Sequence, residues 1–289
     1  MQHEYKSNNS QATVQESYAT MADQVVVYEH PVSPYAQSVK IALREKGIDF
    51  KLVLPSVLGG STPDTFKIAN PRAEVPAFIH GNATLFETSI ILEYINDTWP
   101  SPPLFPADPI RKADASLAAH VALTQYEALM WACAEIRLFK RAEGALAAKL
   151  ERNIQTIATE LQTWLEQKLG DSQYFSGLEF GYADICITPL INSSIGSGLG
   201  PDKNSKLSAW LQRVKERSSV RITFDEAKAG LAKMTALGDI SKRPSTFKRE
   251  YRDHRLDLMI RIGGIGVVTE GLKKDNVRFS WPDVVREKL

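Results

Sequence analysis

The residues best suited to chemistry lie in one short segment, Ser33-Pro34-Tyr35-Ala36. It follows an apolar run at 25–28 and opens an amphipathic pattern that predicts a helix. A hydroxyl at the amino end of a helix lies beside amide groups that have no helical partner, and together they stabilise an anion. With cysteines in place of Ser33 and Ala36, the segment would have the spacing of a redox dithiol. Since neither sulfur is present, we predict that the thiol is carried by a ligand.

Residues 25–97 alternate between strand and helix patterns and would position this segment. The patterns predict strands at 25–29, 50–54, 77–79 and 84–86, and helices at about 34–46, 63–68 and 88–97. Gly81-Asn82 favours a tight turn between the last two strands. The order β-α-β-α-β-β-α predicts two parallel βα crossovers followed by an antiparallel hairpin, as in a thioredoxin-like α/β domain.

The strand patterns end at a proline-rich stretch. Beyond it, apolar residues recur every three or four positions, which is typical of packed helices. The predicted fold class is therefore an N-terminal thioredoxin-like α/β domain plus a C-terminal all-α helical bundle. We expect a disordered arm (1–23), the α/β domain (24–100), a linker (101–108), the all-α domain (109–237) and a basic extension (238–289).

The composition is that of a soluble globular protein, with 43% hydrophobic residues and a formal net charge of +1. So small a charge argues against nucleic acid or an anionic membrane as a partner. No apolar run reaches the ~18 residues of a membrane span and no signal peptide is visible, so we expect a cytoplasmic protein. Cys133 and Cys186 lie far apart in helical segments. This spacing favours two buried, reduced thiols and no metal site.

The final segment, residues 241–289, differs from the rest in charge. It holds 12 Lys and Arg against 7 Asp and Glu, so a segment of +5 adjoins a body of −4. Opposite charges attract at low salt, and apolar residues in the segment provide anchors for packing. These anchors are Val267, Val268, Phe279 and Trp281. We expect the segment to pack against the bundle and to close one side of a substrate cleft.

Three motifs, taken in order and spacing, resemble those of cytosolic glutathione transferases. They are Ser-Pro-Tyr at 33–35, Asn-Pro-Arg-Ala-Glu-Val-Pro-Ala-Phe at 70–78 and Glu-Thr-Ser at 87–89. The chain is most similar to the serine-type branches, such as the theta, zeta, phi and tau classes, and to transferase-like proteins of fungal metabolite pathways. The resemblance covers residues 24–237 and leaves both ends unmatched.

The resemblance implies glutathione as co-substrate and a role for each motif. Ser33 would donate a hydrogen bond to the glutathione sulfur and stabilise its thiolate. Val75, held by a cis bond to Pro76, would pair through its backbone with the cysteinyl residue. Glu87 and Thr88 would hold the ammonium and the carboxylate of the γ-glutamyl group.

Each motif also has a plainer interpretation. Ser33 would serve as an ordinary helix cap, Pro76 would follow a trans bond in a surface turn, and Thr88 would cap a helix beside an uninvolved Glu87.

One position departs from the resemblance. Where relatives often have Lys or Gln to engage the glycine carboxylate, this chain has Glu74, a group of the wrong charge. The candidates for a replacement cation are Lys40, Lys67 and Arg72.

The predicted second substrate is an apolar, electrophilic small molecule that lies between Ser33 and the first helix of the bundle. The candidate lining residues are Tyr35, Tyr126, Met130 and Trp131. Attack by the thiolate would give conjugation or, if the adduct eliminates after bond rotation, cis–trans isomerisation. The resemblance also implies a homodimer.

Two other functions remain open at this point. The chain would be a non-catalytic, transferase-like interaction module if glutathione does not bind, with the basic extension as its contact surface. A thiol-disulfide reductase of the omega type ranks lower, because that chemistry needs a cysteine where Ser33 stands.

Overall fold

The computed structural model describes residues 24–55, 64–236, 249–250 and 253–278. The expected arm at 1–23 and the anchors Phe279 and Trp281 lie outside the described residues.

The N-terminal unit is a small mixed sheet with helices, which confirms the predicted thioredoxin-like class. Its elements are β1 (Val25–Tyr28), α1 (Pro34–Glu45), β2 (Phe50–Val53), α2 (Asp64–Ala69), β3 (Ala77–His80), β4 (Ala83–Phe86) and α3 (Thr88–Thr98). The strand order is β2-β1-β3-β4. The tight turn between β3 and β4 uses Gly81 at a φ of 54°, a conformation that glycine adopts without steric cost.

The direction of β3 corrects the prediction of two parallel crossovers. β1 and β2 are parallel, but β3 runs antiparallel to β1, with Val27 opposite Phe78. The connecting helices explain the difference. At 1.5 Å per residue, α1 is about 18 Å long and returns the chain to the start of the sheet, whereas α2 spans only about 9 Å. The chain therefore enters β3 near the end at which β2 stopped.

The second unit is helical, as predicted. It comprises α4 (Pro109–Val121), a π-helical turn (Ala122–Tyr126), α5 (Glu127–Arg137), α6 (Gly144–Leu169), α7 (Tyr182–Gly196), α8 (Lys206–Lys215) and α9 (Ser218–Ala236). The Asp184 carboxylate accepts the Gly181 N–H at the start of α7, which satisfies an amide that the helix leaves unpaired. Cys133 and Cys186 are buried free thiols, which confirms that prediction.

The two units share one apolar core, and α1 lies between the sheet and the bundle. The Ser38 hydroxyl donates to the Ile185 carbonyl of α7 at 3.0 Å. Lys40 is fully buried and pairs with Glu29 at 3.1 Å and with Glu226 of α9 at 2.9 Å. Since a buried charge is costly without partners, these contacts fix α1 against α9.

The described part of the extension packs against the bundle, as its charge and apolar residues predict. It forms β5 (Arg249–Glu250), α10 (Asp253–Arg261), α11 (Ile265–Lys273) and β6 (Val277–Arg278). Val267 and Val268 are buried in the shared core. Arg255 donates to the Glu127 carboxylate at 3.0 Å, and both side chains are at least nine-tenths buried. This ion pair joins α10 to α5.

The burial of the Glu127–Arg255 pair predicts how a substitution at Glu127 changes the stability of the protein. Glu127→Gln leaves the Arg255 guanidinium buried without its counter-charge, which should lower the free energy of unfolding by about 3–5 kcal/mol. Asp257→Asn is the control, because the Asp257–Arg261 pair is exposed and should contribute less than ~1 kcal/mol. Chemical denaturation of both variants measures the two losses of unfolding free energy. Equal losses would show that the buried pair stabilises the fold no more than the exposed pair does.

The pH dependence of this loss follows from the pKa of Glu127. Burial raises that pKa, but the charge and hydrogen bonds of Arg255, together with the nearby His254 ring, outweigh burial and lower it from 4.5 to about 2. The pair therefore contributes fully above pH ~4.5, and its contribution is lost as the pH falls toward 2. The gap in unfolding free energy between wild type and Glu127→Gln should shrink over that window.

Candidate functional site

Ser33 caps α1 at the point where the chain leaves β1. Its hydroxyl oxygen accepts the Ala36 N–H at 3.3 Å. The loop before it is fixed, because the Ser33 N–H donates to the His30 carbonyl at 2.8 Å and the Gln37 amide donates to the Pro31 carbonyl at 2.8 Å. Accepting the cap hydrogen bond does not use the hydroxyl proton, so Ser33 can cap the helix and also donate to an anion.

His30, three residues before Ser33, adds no positive charge to this loop at neutral pH. Burial, and then the nearby charge of Lys40, lowers the pKa of His30 below its usual 6.5. Stabilisation of an anion at Ser33 therefore rests on the hydroxyl and on the amides of α1.

The loop before β3 contains a cis peptide bond between Val75 and Pro76, as expected from the sequence. The side chain of Asn70 spans this loop: its amide donates to the Glu74 carbonyl at 2.7 Å, and its oxygen accepts the Arg72 N–H at 3.0 Å. Sequence reasoning did not give Asn70 a role. The sequence feature that indicates such a role is the position of Asn70 before a proline, where Asn side chains often organise a turn.

Glu87 and Thr88 form the junction between β4 and α3. Glu87 has a φ of 70°, which is strained for a residue with a side chain. Thr88 is 5% exposed, and its hydroxyl has no hydrogen-bond partner within the described parts of the chain. Strained backbone and an unsatisfied buried hydroxyl each cost about 1–3 kcal/mol, and such features cluster at binding sites.

The sheet register brings the three motifs to one edge. Tyr28, at the end of β1, lies opposite Ala77 at the start of β3, and Ala77 lies opposite Phe86 at the end of β4. The Ser33 loop follows β1, Val75-Pro76 precedes β3, and Glu87-Thr88 follows β4. A hydroxyl on one helix start, an extended backbone and a second helix start therefore surround one edge of the sheet. The arrangement suits an extended ligand with a charged amino-acid end and a central anion.

The structure does not bring all the candidate cations to this edge. Lys40 is enclosed by Glu29 and Glu226, so its charge is already neutralised inside the protein. It therefore does not fit the role of a cation that binds the glycine carboxylate of glutathione. Lys67 is half exposed, 3.9 Å from Asp64. Arg72 pairs with the Glu87 carboxylate, at the end expected for the γ-glutamyl group.

The residues that were expected to line the substrate cleft also lie in different places. Tyr126 lies inside the bundle, with its hydroxyl bonded to Ser194, Gln162 and the Leu199 carbonyl at 3.0, 2.8 and 3.1 Å. It is fully buried and therefore does not line a cleft, which corrects the expectation.

Three of the lining candidates lie where the α/β domain, the bundle and the extension approach one another. The Tyr35 hydroxyl donates to the Leu123 carbonyl in the π-helical turn at 2.6 Å. Met130 is half-buried on α5. Trp131 is 6% exposed, and the Arg255 guanidinium of α10 lies 5.7 Å from its ring centroid. The extension therefore covers part of the helix that was expected to line the cleft.

Two further features are absent from the described residues. Within the described ranges, no group of three or more His, Cys, Asp or Glu side chains is arranged to hold a metal ion. No helix in the same ranges is long and apolar enough to cross a membrane.

Comparison with known proteins matches this architecture. The family described as the glutathione S-transferase N-terminal domain matches residues 27–103. Glutathione S-transferase U28 of Arabidopsis thaliana is 31% identical over 212 residues, covering 70% of this chain and 89% of the relative. This chain belongs to the glutathione S-transferase family. A second relative, glutathione S-transferase U25 of the same plant, is 30% identical and covers 69% and 88% of the two chains.

Solved structures of glutathione transferases share the fold. The Tau class enzyme from mango, Mangifera indica, superposes with a TM-score of 0.61 at 23% identity, over 74% of this chain and 99% of that one. Rice GST1, solved in complex with glutathione, superposes with a TM-score of 0.60 at 24% identity, over 74% and 98% of the two chains. All three motifs lie inside the matched N-terminal domain, whereas α10 and α11 lie outside it.

The strain at Glu87 can be tested separately from its charge. Glu87→Ala and Glu87→Gly both remove the carboxylate and its pair with Arg72, but only glycine adopts a φ of 70° at no steric cost. The glycine variant should therefore unfold with a free energy about 1–2 kcal/mol higher than the alanine variant. At Thr156, an exposed residue inside α6, the order should reverse, with alanine more stable by about 1 kcal/mol. The same order at both positions would show that Glu87 is not strained.

Proposed function

We propose that this transferase-family protein binds glutathione at the edge formed by β1, β3 and β4 and uses its thiolate to attack an apolar electrophile. The observation that carries the proposal is the strand register, which places three separate motifs around one edge of the sheet. Two elements there have groups suited to a ligand: the hydroxyl cap at Ser33 and the unpartnered hydroxyl of Thr88.

In the proposed complex, the ligand lies extended along this edge. The backbone N–H and C=O of Val75 pair with the cysteinyl residue as a short added strand, with Pro76 fixing the direction of the loop. The amides at the start of α3 and the Thr88 hydroxyl receive the γ-glutamyl carboxylate. The Glu87 carboxylate receives the ammonium. The sulfur then lies toward Ser33.

Ser33 would act on the charge of the sulfur. A free cysteine thiol has a pKa of about 8.5, so little thiolate is present at neutral pH. A hydrogen bond from the Ser33 hydroxyl and the positive end of α1 both favour the thiolate over the thiol. Their combined effect lowers the pKa of the bound thiol and raises the fraction that is nucleophilic.

The second substrate would contact side chains at the domain boundary. The half-buried Tyr35 and Met130 are retained as candidates. Trp131 is buried beneath Arg255 of the extension and would be reached only if that contact opens. We propose conjugation as the reaction, since addition of the thiolate to the electrophile needs only the groups described. Cis–trans isomerisation needs the same thiolate followed by elimination, and product analysis with a cis-alkene substrate separates the two.

The non-catalytic alternative makes a different prediction. An interaction module needs no ligand at the strand edge, so it would give no heat of binding with millimolar glutathione in calorimetry.

A cytoplasmic location likewise stays a prediction, since no described residue bears on it.

A matched pair of serine variants tests the role of Ser33. Ser33 and Ser205 both cap a helix, since the Ser205 hydroxyl accepts the Ser208 N–H at 3.1 Å. Loss of one charge-assisted hydrogen bond costs about 1.5–3 kcal/mol, so Ser33→Ala should reduce turnover of glutathione with an activated aryl halide about 10- to 150-fold. Ser205→Ala should lose about 1 kcal/mol of stability and keep its turnover. Similar turnover for Ser33→Ala and wild type would mean that Ser33 is only a cap.

A homodimer is also proposed. Several apolar side chains on α3 and α4 are exposed in the single chain, among them Ile90, Ile110 and Leu117 at 47%, 74% and 46%. In the proposed dimer, a second chain would cover these side chains. Light scattering at low micromolar concentration should give twice the 32.2 kDa mass of the chain, and a mass near one chain would refute the dimer.

A further inference from the structure

One face of α9 lies against α1 and against the loop that carries Ser33. Thr223, Glu226 and Gly230 are three and four positions apart, so they lie on the same side of the helix. We propose that Gly230 is a positioning residue for Ser33: its lack of a side chain lets α9 support the loop 30–33 and so fixes the hydroxyl beside the glutathione sulfur. This role rests on the proposed function.

The Glu226 carboxylate holds α9 against α1. Lys40 Nζ donates to one of its oxygens at 2.9 Å, and the Arg44 guanidinium donates to the other. Lys40 also donates to Glu29, the residue directly before the loop, at 3.1 Å. Burial raises the pKa of Glu226, but hydrogen bonds from Lys40 and Arg44 outweigh burial and lower it, so the carboxylate is charged at neutral pH. This charged network fixes α9, α1 and the end of β1 relative to one another.

The contact between Gly230 and Pro31 is closer than a residue with a side chain would allow. A Cβ atom on Gly230 would lie 2.5 Å from Cβ and 3.0 Å from Cγ of Pro31, well inside van der Waals contact. The pyrrolidine ring of Pro31 is bonded to its own backbone and cannot turn away. Inside a helix, alanine is favoured over glycine. The close approach of the loop is therefore the physical reason for a glycine at this position in α9.

Pro31 is in turn linked to Ser33 by hydrogen bonds. The Pro31 carbonyl accepts the side-chain amide of Gln37 at 2.8 Å, and the Ser33 N–H donates to the His30 carbonyl at 2.8 Å. A methyl group on Gly230 would have to move either α9 or this short loop. Since the charged network holds α9 against α1, we expect the loop to move and to carry the Ser33 hydroxyl away from the sulfur.

The first test compares Gly230→Ala with Gly266→Ala, using glutathione and an activated aryl halide. Gly266 is exposed in α11. Among the described residues, nothing beyond its chain neighbours and its own helix backbone lies within 4 Å of an added Cβ. In Gly230→Ala, kcat should fall about 10- to 100-fold, because misplacement of a reacting group by about 1 Å costs that much. The KM for glutathione should change less than about threefold, since the loop before β3 and the start of α3 are untouched. Gly266→Ala should keep the wild-type kcat.

Three further measurements distinguish positioning from a general loss of stability. The midpoint for titration of the bound thiol should rise in Gly230→Ala, toward the value of about 8.5 for a free thiol. In the protein without ligand, amides of the loop 30–37 should exchange with solvent at least about 10-fold faster in Gly230→Ala than in wild type. Pro31→Gly removes the ring that the added methyl would meet, so in that background Gly230→Ala should lower kcat less than about twofold.

Several outcomes would overturn the proposal. A folded Gly230→Ala, verified by its melting curve, whose kcat and thiol midpoint match those of wild type would refute it. An equal loss of kcat in Gly266→Ala, or a loss in Gly230→Ala that persists in the Pro31→Gly background, would also refute it. In each of these cases wild type still binds glutathione, so the proposed function stands. Absence of binding to wild type in calorimetry would refute the proposed function, and the role of Gly230 with it.

Discussion

The pairing of β1, β3 and β4 is the constraint on which the proposed site depends. Because β3 is antiparallel to both neighbours, its starting residue Ala77 lies between the ends of the other two strands, Tyr28 and Phe86. Three loops that are far apart in the chain are thereby held at one edge. A shift of register by one residue would turn the side chains to the opposite face of the sheet and separate the loops. The residues of the three loops can contact one ligand only in this arrangement.

Much of the fold was predictable because the local patterns are strong. Strand and helix positions in the α/β domain followed from apolar periodicity. The direction of β3 was predicted wrongly, because apolar alternation does not encode strand direction and the short length of α2 was not taken into account. Family resemblance pointed to the Val75–Pro76 cis bond and the two helix starts, and the structure has all three features.

The parts of the site that could not be predicted depend on tertiary partners. Lys40 has the charge needed for a carboxylate, but Glu29 and Glu226 enclose it, and Glu226 lies 186 residues later in the chain. Tyr126 has the amphipathic character of a cleft residue, yet its hydroxyl is satisfied inside the bundle. The charge of the extension predicted attraction to the bundle. The specific pair between Arg255 and Glu127, on the helix expected to line the cleft, required the structure.

In the proposed complex, Ser33 and the start of α1 stabilise a thiolate supplied by glutathione. The most direct measurement is a pH titration of the ultraviolet absorbance of the thiolate in the complex of wild-type protein with glutathione. We expect a midpoint at least one pH unit below the value of about 8.5 for a free cysteine thiol, and a smaller shift in Ser33→Ala. A bound thiol that titrates like free glutathione in the wild-type complex would show that Ser33 and the start of α1 do not stabilise the thiolate.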